Sequence, residues 1–268
     1  MKKFGYWDFA NTVRNKHRYI FHGSAADFIE KVRAASKARG YLLKQGKRLY
    51  RAQIGSRVGI RPGGDGIEEE MPLSKRRIIP SPQYVKTSGR ANPKGFGYLY
   101  LATDERTALA EMRPWMGESL TLATFEIKRP VRLVVCWARE QDLVERLHGK
   151  NSAQKRVEGS LWDDLSAAFA RPVNREDADR DYIPTQVIAE VFKTEGFDGI
   201  AYASGLERGT NVVLFNRRVA KITNRFVYIL KKVRYEFEAA PNLGIYRVKD
   251  GEGEALYEIP TESPKLNY

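Results

Sequence analysis

The hydrophobic positions of the first forty residues recur at helical spacing. Phe9 and Val13 lie about one turn apart, and a second apolar series follows Ser24, a residue type that caps helices. This second series stops near Gly40, and a glycine after a periodic segment indicates the end of a helix. The spacing therefore predicts that this part of the chain is helical.

Short apolar runs bounded by turn residues predict strands in the rest of the chain. They lie at residues 48–54, 97–102, 120–127, 131–137, 199–204 and 211–215. Helical spacing predicts further helices at residues 104–112, 141–147, 159–170 and 185–194, with Asp104 as the N-cap of the first. Strands and helices are mixed without a regular strand–helix–strand repeat, so the predicted fold class is α+β.

Two segments carry weaker patterns. Residues 55–89 are rich in Gly, Pro and charge, which predicts a long loop of the functional or mobile kind. Further on, residues 226–230 and 233–237 alternate between apolar and polar positions, which predicts a hairpin-like extension.

The composition is that of a globular protein. Of the 268 residues, 42% are hydrophobic and 29% are charged, and no run approaches the roughly 18 apolar residues of a membrane span. The first eight residues lack the apolar segment of a signal peptide, so we expect a soluble, cytoplasmic protein without membrane association. The single cysteine, Cys136, lies in an apolar run and is expected to be a buried structural thiol.

The net charge of +13 is concentrated near the start of the sequence. Residues 1–61 contain fifteen Lys and Arg but only Asp8, Asp27 and Glu30 as acidic residues. Such a segment is typical of a solvated surface, but also of a surface for nucleic acid, an acidic protein or a phosphate-bearing small molecule. Charge alone does not choose among these alternatives.

Glu111 is the first candidate for chemistry. It follows Ala108 and Ala110 on a predicted helix, so its carboxylate is expected on a close-packed, mostly apolar surface, where an unpaired charge is costly. Arg51 or Arg90 could supply the partner, and a purely structural Arg–Glu pair is the alternative to a functional site.

Arg90 lies in a glycine-flanked segment. Gly89 and Gly95 enclose Arg90 and Asn92, which predicts a tight turn that can approach a ligand closely. The tyrosines of the following strand are, taken singly, ordinary strand aromatics.

Three segments together resemble the RES domain family, which is named for its Arg, Glu and Ser and whose members are toxins of bacterial toxin–antitoxin pairs. The segments are residues 49–52, 88–114 and 197–215. The resemblance is strongest in the Gly-Arg-Ala-Asn-Pro turn at 89–93, the Leu-Tyr-Leu-Ala strand at 99–102 and the helix with Glu111. It covers roughly residues 48–218. We therefore predict a helical N-terminal extension at 1–47, a catalytic domain at 48–219 and a β-rich extension at 220–268.

The resemblance implies an ADP-ribosyltransferase-like mixed sheet and an enzyme that degrades NAD, with water or phosphate as acceptor. It implies that Arg51 and Arg90 bind the pyrophosphate or the incoming phosphate through bidentate contacts. Tyr100 would pack against nicotinamide or its ribose, and Tyr98 would replace it if the strand register differed by two.

The resemblance also assigns the acid and the polar lining of the site. Glu111 would bind the ribose hydroxyls and stabilise positive charge at the anomeric carbon, and Ser204 and Asn211 would complete the lining. NAD is then a substrate, inorganic phosphate a candidate co-substrate, and no cofactor is expected.

The residue inventory agrees with metal-free glycosidic cleavage. His17, His22 and His148 all lie outside the three segments, and one cysteine with three scattered histidines does not build a usual zinc site. Nicotinamide leaves NAD as a neutral ring, so the reaction needs no general acid and depends on a carboxylate and on positioning.

Two other functions stay open. The same site could transfer ADP-ribose to a protein or nucleic acid, or the basic N-terminal segment could be a non-enzymatic module that binds nucleic acid or a partner. That segment interleaves basic residues with aromatic residues, which are either stacking platforms or, as we favour, core: Tyr6, Trp7, Phe9, Tyr19 and Phe21.

The resemblance further implies a separately encoded antitoxin. The basic N-terminal face, with Lys31, Arg33 and Lys37, is the candidate contact surface for an acidic partner.

Overall fold

The structure is a computed structural model, and it describes residues 4–60, 63, 66–137, 153–173, 177–234, 246–249 and 252–256. The chain divides into two units, Met1–Leu230 and Lys231–Tyr268. The second unit contains a two-stranded antiparallel sheet.

An eight-stranded mixed sheet forms the centre of the first unit, and a short hairpin (β3, β4) lies outside it. The strands of the chain are β1 Gly40–Leu43, β2 Arg48–Ile54, β3 Arg57–Ile60, β4 Glu68–Met71, β5 Leu99–Ala102, β6 Ser119–Ile127, β7 Val131–Val135, β8 Gly199–Ala203, β9 Thr210–Leu214, β10 Ala220–Ile229 and, in the second unit, β11 Tyr246–Lys249 and β12 Glu252–Leu256. The order in the main sheet is β1-β7-β8-β9-β5-β2-β6-β10, and β7 and β8 are its parallel pair.

Helices surround this sheet. In the described residues they are α1 Tyr6–Asn15, α2 Ser24–Ser36, α3 Lys75–Ile78, α4 Glu105–Ala110, α5 Ala153–Ala170, α6 Ala178–Asp181 and α7 Ile183–Thr194. Short 3₁₀ turns lie at Lys37–Arg39, Pro82–Tyr84 and Arg217–Val219. The mixed sheet with helices at the start of the chain confirms the predicted α+β class.

The hydrophobic core has two main layers, one on each face of the sheet. On one face, α1, α2, α5 and α7 pack over β7, β8 and β9, with Trp162, Phe169 and Phe192 among the fully buried side chains. On the other face, Leu49, Phe125 and further aliphatic residues form a second cluster. Burying these side chains is the main favourable contribution to the stability of the unit.

The N-terminal aromatic residues divide between core and surface. Tyr6 and Phe9 are buried, and Phe9 stacks on Phe28 with ring centroids 4.9 Å apart, which confirms the core interpretation for these two. Trp7 is 42% exposed and Tyr19 is 81% exposed, so for them the core interpretation is wrong. Each lies on the outer side of α1 or beyond its end, where the helical period no longer faces the sheet.

The predicted strands and helices within the described residues are present, with shifted ends. Asp104 caps α4 by accepting a hydrogen bond from the Thr107 backbone N–H at 2.8 Å, as predicted. Ser24 is the first residue of α2 rather than its cap, because Gly23 with φ of 53° makes the turn into the helix. The predicted helix at 141–147 lies outside the described residues.

The predicted loop at 55–89 is wrong in part. It contains the β3–β4 hairpin and the helix α3. Neither strand of the hairpin has a buried face: Val58 and Ile60 of β3 are exposed, and β4 is Glu-Glu-Glu-Met, so the pair lacks two matching apolar alternations in the sequence. The edge strand β1 was also missed, because only Leu43 of its four residues is buried.

Strand β10 belongs to the main sheet. It pairs with β6 from Ala220 to Ile229, and the division between units falls after Leu230. The predicted boundaries at 47/48 and 219/220 stay predictions, and part of the second alternating run, residues 235–237, lies outside the described residues.

Cys136 is buried, as predicted, and burial raises the pKa of its thiol well above the usual range. It is therefore a structural thiol and not a nucleophile. Within the described residues, none of the helices combines the length and the apolar character that crossing a membrane requires.

Candidate active site

A row of directly paired residues crosses the four central strands. Tyr50 on β2 lies opposite Ala102 on β5, which lies opposite Asn211 on β9, which in turn lies opposite Tyr202 on β8. All four line a cavity of about 300 Å³, which helix α4 and the turn at 88–90 complete. The site is therefore built on the centre of the sheet, from strands that are far apart in sequence.

Glu111 lies at the C-terminal end of α4 and lines this cavity. Its Oε1 accepts hydrogen bonds from the Ser204 hydroxyl at 2.7 Å and from the Asn211 side-chain amide at 2.6 Å. The Ser204 oxygen in turn accepts hydrogen bonds from the backbone N–H groups of Leu206 and Glu207. The carboxylate is therefore held in one orientation by two neutral donors, one of which is itself fixed by the backbone.

No ion pair joins Glu111 to Arg51 or Arg90, although both arginines line the same cavity. The expectation that an arginine neutralises Glu111 is wrong, because a hydroxyl and an amide satisfy the carboxylate instead. This removes the purely structural Arg–Glu pair as an explanation for these residues.

Arg51 is half-buried and tied to two backbone carbonyls. Its Nε donates to Ile78 O and its Nη1 to Tyr100 O, both at 3.0 Å, so it joins α3 to β5. Burial lowers the pKa of Arg51 to about 10, so the side chain remains a cation at neutral pH.

Arg90 also lines this cavity. Its guanidinium stacks over the ring of Tyr182 at 5.5 Å and donates to the carbonyl of Arg171. These contacts fix the plane of the guanidinium beside the cavity.

The predicted tight turn around Arg90 is present and is packed against Tyr100. Gly89 and Asn92 close it with two backbone hydrogen bonds. The Tyr100 hydroxyl donates to Asn92 Oδ1 at 2.6 Å and accepts from the Ala91 N–H at 3.0 Å. A Cβ at Gly89 would lie 2.5 Å from the Tyr100 hydroxyl oxygen, so the close approach that this glycine permits is to Tyr100.

Gln186 of α7 stabilises the same turn through two hydrogen bonds. Its amide nitrogen donates to the carbonyls of Gly89 at 2.9 Å and of Asn92 at 3.0 Å. Sequence reasoning missed this residue. The available signal was a polar side chain on the buried face of an otherwise apolar helix.

Two tyrosines of the site are kept neutral by burial. Burial raises the pKa of Tyr100 and of Tyr202 well above the usual range, which leaves both phenols as hydroxyl groups. Sequence reasoning also missed some of the lining, namely Tyr50, Met112, Tyr182 and Tyr202.

The structure brings the sequence-predicted residues to one region. Arg51, Arg90, Tyr100, Glu111 and Asn211 line the 300 Å³ cavity, and Ser204 contacts Glu111 directly.

Tyr98 lies elsewhere. It lines a second, adjoining cavity of about 610 Å³, where the Lys193 ammonium donates to its hydroxyl at 3.2 Å. Tyr100 lines both cavities, so the register places Tyr100 and not Tyr98 beside Glu111.

No group of three or more potential metal ligands occurs among the residues that the structure describes. His17 and His22 are exposed, and His148 lies outside the described ranges.

The family model of the RES domain matches residues 72–238, and the chain belongs to this family. The match includes Arg90, Glu111 and Ser204, whereas Arg51 precedes it. It begins and ends later than residues 48–218, the range expected from the sequence. No curated protein matches the chain.

One solved structure similar to this chain is the M. tuberculosis MbcT–MbcA toxin–antitoxin complex. The similarity is 12% sequence identity over 75% of this chain and 93% of the other chain, with a TM-score of 0.40.

Proposed function

We propose that this protein is a NAD-degrading enzyme of the RES toxin type that cleaves the bond between nicotinamide and ribose. The observation that carries the proposal is the carboxylate of Glu111, fixed by Ser204 and Asn211 in a cavity that two cations and four tyrosines also line. Membership of the RES domain family supports it.

Cleavage of the nicotinamide–ribose bond requires few other catalytic groups. The bond between the anomeric carbon and the pyridinium nitrogen breaks, and its electron pair neutralises the ring, so nicotinamide leaves without protonation. Positive charge then develops at the anomeric carbon, where a fixed carboxylate stabilises it. Both hydrogen bonds of Glu111 within the described residues end on Oε1, and Oε2 remains to accept a hydrogen bond from a ribose hydroxyl.

The two arginines are suited to the phosphates of the same substrate. Arg51 uses Nε and Nη1 for backbone carbonyls, so Nη2 is the group that would contact a phosphate oxygen. Arg90 is oriented by Tyr182 and lines the same cavity. Tyr100 and Tyr202 offer ring surfaces against which nicotinamide or ribose would pack.

An oxygen atom from water or from inorganic phosphate completes the reaction by forming a new bond to the anomeric carbon. Water gives ADP-ribose and a released proton, and phosphate gives the 1-phosphate of ADP-ribose. The test is incubation of purified protein with NAD, with and without phosphate, followed by quantification of nicotinamide and of the ribosyl product.

The variants Glu111→Gln and Arg90→Ala define the site in this experiment. We expect nicotinamide release to fall by about 100-fold or more in Glu111→Gln. The matched control is Glu105→Gln, an exposed carboxylate on the same helix. Equal losses in Glu105→Gln and Glu111→Gln would contradict the proposal, and stable labelling of a macromolecule by NAD would identify transfer as the reaction instead.

We also propose that a separately encoded antitoxin binds this protein, as in toxin–antitoxin pairs of the family. On the basic face, Arg33 of α2 and Lys37 of the 3₁₀ turn that follows lie 3.5 Å and 4.0 Å from Glu195, so part of their charge is already compensated within the chain. Reversal of Lys31, Arg33 and Lys37 to glutamate should weaken binding of an acidic partner. Affinity that is insensitive to both the reversal and salt would contradict this contact surface.

A further inference from the structure

The second cavity adjoins the Glu111 cavity and is about twice as large, 610 Å³ against 300 Å³. The two share Arg51, Ser88, Gly89 and Tyr100 in their linings. The two cavities therefore meet at Arg51 and Tyr100. Its volume lies within the range of small-molecule sites.

The charged side chains that line this cavity are positive. Four cationic side chains line it, from Arg51, Arg76, Arg77 and Lys86, and none of the described residues in its lining is a carboxylate. The hydroxyls of Ser81, Thr87 and Ser88 add neutral donors. Cations and hydroxyls without a compensating acid are the groups that bind phosphate.

The cavity also carries exposed aromatic surface. Tyr84 is 52% exposed and Phe96 is 46% exposed, and both line it. Arg76 fixes Tyr84, because its guanidinium lies 5.3 Å from the ring centroid and donates to the hydroxyl. An aromatic ring held in place beside clustered cations can stack on a purine while the cations bind its phosphates.

We propose that this second cavity binds the adenylate half of the dinucleotide, with its phosphate against Arg76, Arg77 and Lys86 and the adenine on Tyr84 or Phe96, while the phosphate of the nicotinamide half stays at Arg51 and Arg90. The proposal rests on the proposed function and divides its substrate between two cavities that meet at Arg51 and Tyr100. The enzyme then recognises a dinucleotide, and nicotinamide mononucleotide is a poor substrate.

The kinetic test uses the double variant Arg76→Ala/Arg77→Ala. We expect the KM for NAD to rise by about tenfold or more, with a much smaller change in kcat, because the lost contacts bind substrate and transition state alike. The matched control is Lys75→Ala, a cation of the same helix that does not line the cavity. In the unsubstituted protein, kcat/KM for nicotinamide mononucleotide should be lower than for NAD by about tenfold or more.

Direct binding of AMP, measured by calorimetry, separates the inference from the proposed function. AMP binding that weakens in the double variant and in Tyr84→Ala, but not in Lys75→Ala, supports the subsite even if NAD is not cleaved. NAD cleavage with an unaltered KM in the double variant overturns the subsite and leaves the proposed function intact. A rise confined to the KM for inorganic phosphate also overturns it, because the cavity would then hold the acceptor.

Discussion

At the scale of single residues, Glu111 is placed where a carboxylate is unfavourable by itself. It ends helix α4, where the helix dipole disfavours negative charge, and no arginine neutralises it. Ser204 and Asn211 compensate through two short hydrogen bonds. A carboxylate held in this way keeps its charge available to a substrate, which an ion pair would not allow.

The variants Ser204→Ala and Asn211→Ala test this arrangement. Each removes one donor to Oε1, so we expect kcat for nicotinamide release to fall by about tenfold or more while the protein stays folded. Ser119→Ala is the matched control, since its hydroxyl donates to the exposed carboxylate of Glu70 at 2.8 Å. Full activity in both site variants would show that the orientation of Glu111 does not matter.

At the scale of secondary-structure elements, α7 supports the site through Gln186. Replacement by leucine keeps the volume but removes both hydrogen bonds to the turn at 89–92. We expect Gln186→Leu to lower the free energy of unfolding by about 1–3 kcal/mol and to reduce activity, because the turn carries Arg90 and contacts Tyr100. Urea unfolding and nicotinamide release measure the two effects, and Glu190→Ala on the exposed side of α7 is the control.

Asp198 joins the start of β7 to the start of β8 and gives a pH-dependent stability. Its carboxylate accepts from Arg129 Nη2 at 2.7 Å and from the Arg132 N–H at 2.8 Å. Partial burial raises the pKa of this carboxyl, but the hydrogen bonds and the charge of Arg129 outweigh burial and hold it below the usual range. Because the pKa is lower in the folded state, the ionised carboxylate stabilises the fold at pH values above the pKa of the unfolded chain. This contribution is lost as the pH falls through the pKa of the folded protein.

We therefore expect Asp198→Asn to lower the free energy of unfolding by about 1 kcal/mol at pH 7. The difference from the unsubstituted protein should shrink below about pH 4. Urea midpoints at pH 7 and pH 3 provide the measurement. A difference that is the same at both values would contradict the assignment.

The secondary-structure elements also show which parts of the fold could be predicted from the sequence. Strands such as β6 and β9 were predictable because they are buried and apolar, and α4 because Asp104 marks its start. The β3–β4 hairpin was not, because it has no buried face. Family resemblance identified Glu111 and Ser204, but their contact depends on the strand order, which local patterns do not contain.

The hydrogen-bond partners of the arginines could likewise not be predicted from the sequence. Arg51 was expected beside Glu111 as a counter-charge, yet it donates to two carbonyls that belong to other elements. Similarly, the second cavity takes Arg76 and Arg77 from a segment that the pattern assigned to a loop. Backbone acceptors and cavity walls arise only when the elements are packed together.

At the scale of the whole molecule, the main sheet extends to β10. A chain that ends after Leu230 retains this strand and all the candidate site residues, so we expect it to fold and to release nicotinamide at a rate within about threefold of the full chain. A chain that ends after Val219 loses β10 and makes β6 an edge strand, paired with β2 on one side only. We expect this shorter chain to aggregate, which light scattering would detect. Equal solubility of both would place β10 outside the structural core.

The most direct test of the account is the ratio of nicotinamide release rates between the unsubstituted protein and Glu111→Gln, measured on proteins with equal urea midpoints and with NAD affinity determined separately. The account predicts a loss of about 100-fold or more in kcat with NAD affinity changed by less than about threefold. Release by Glu111→Gln at nearly the rate of the unsubstituted protein, or no release by the unsubstituted protein, would contradict it.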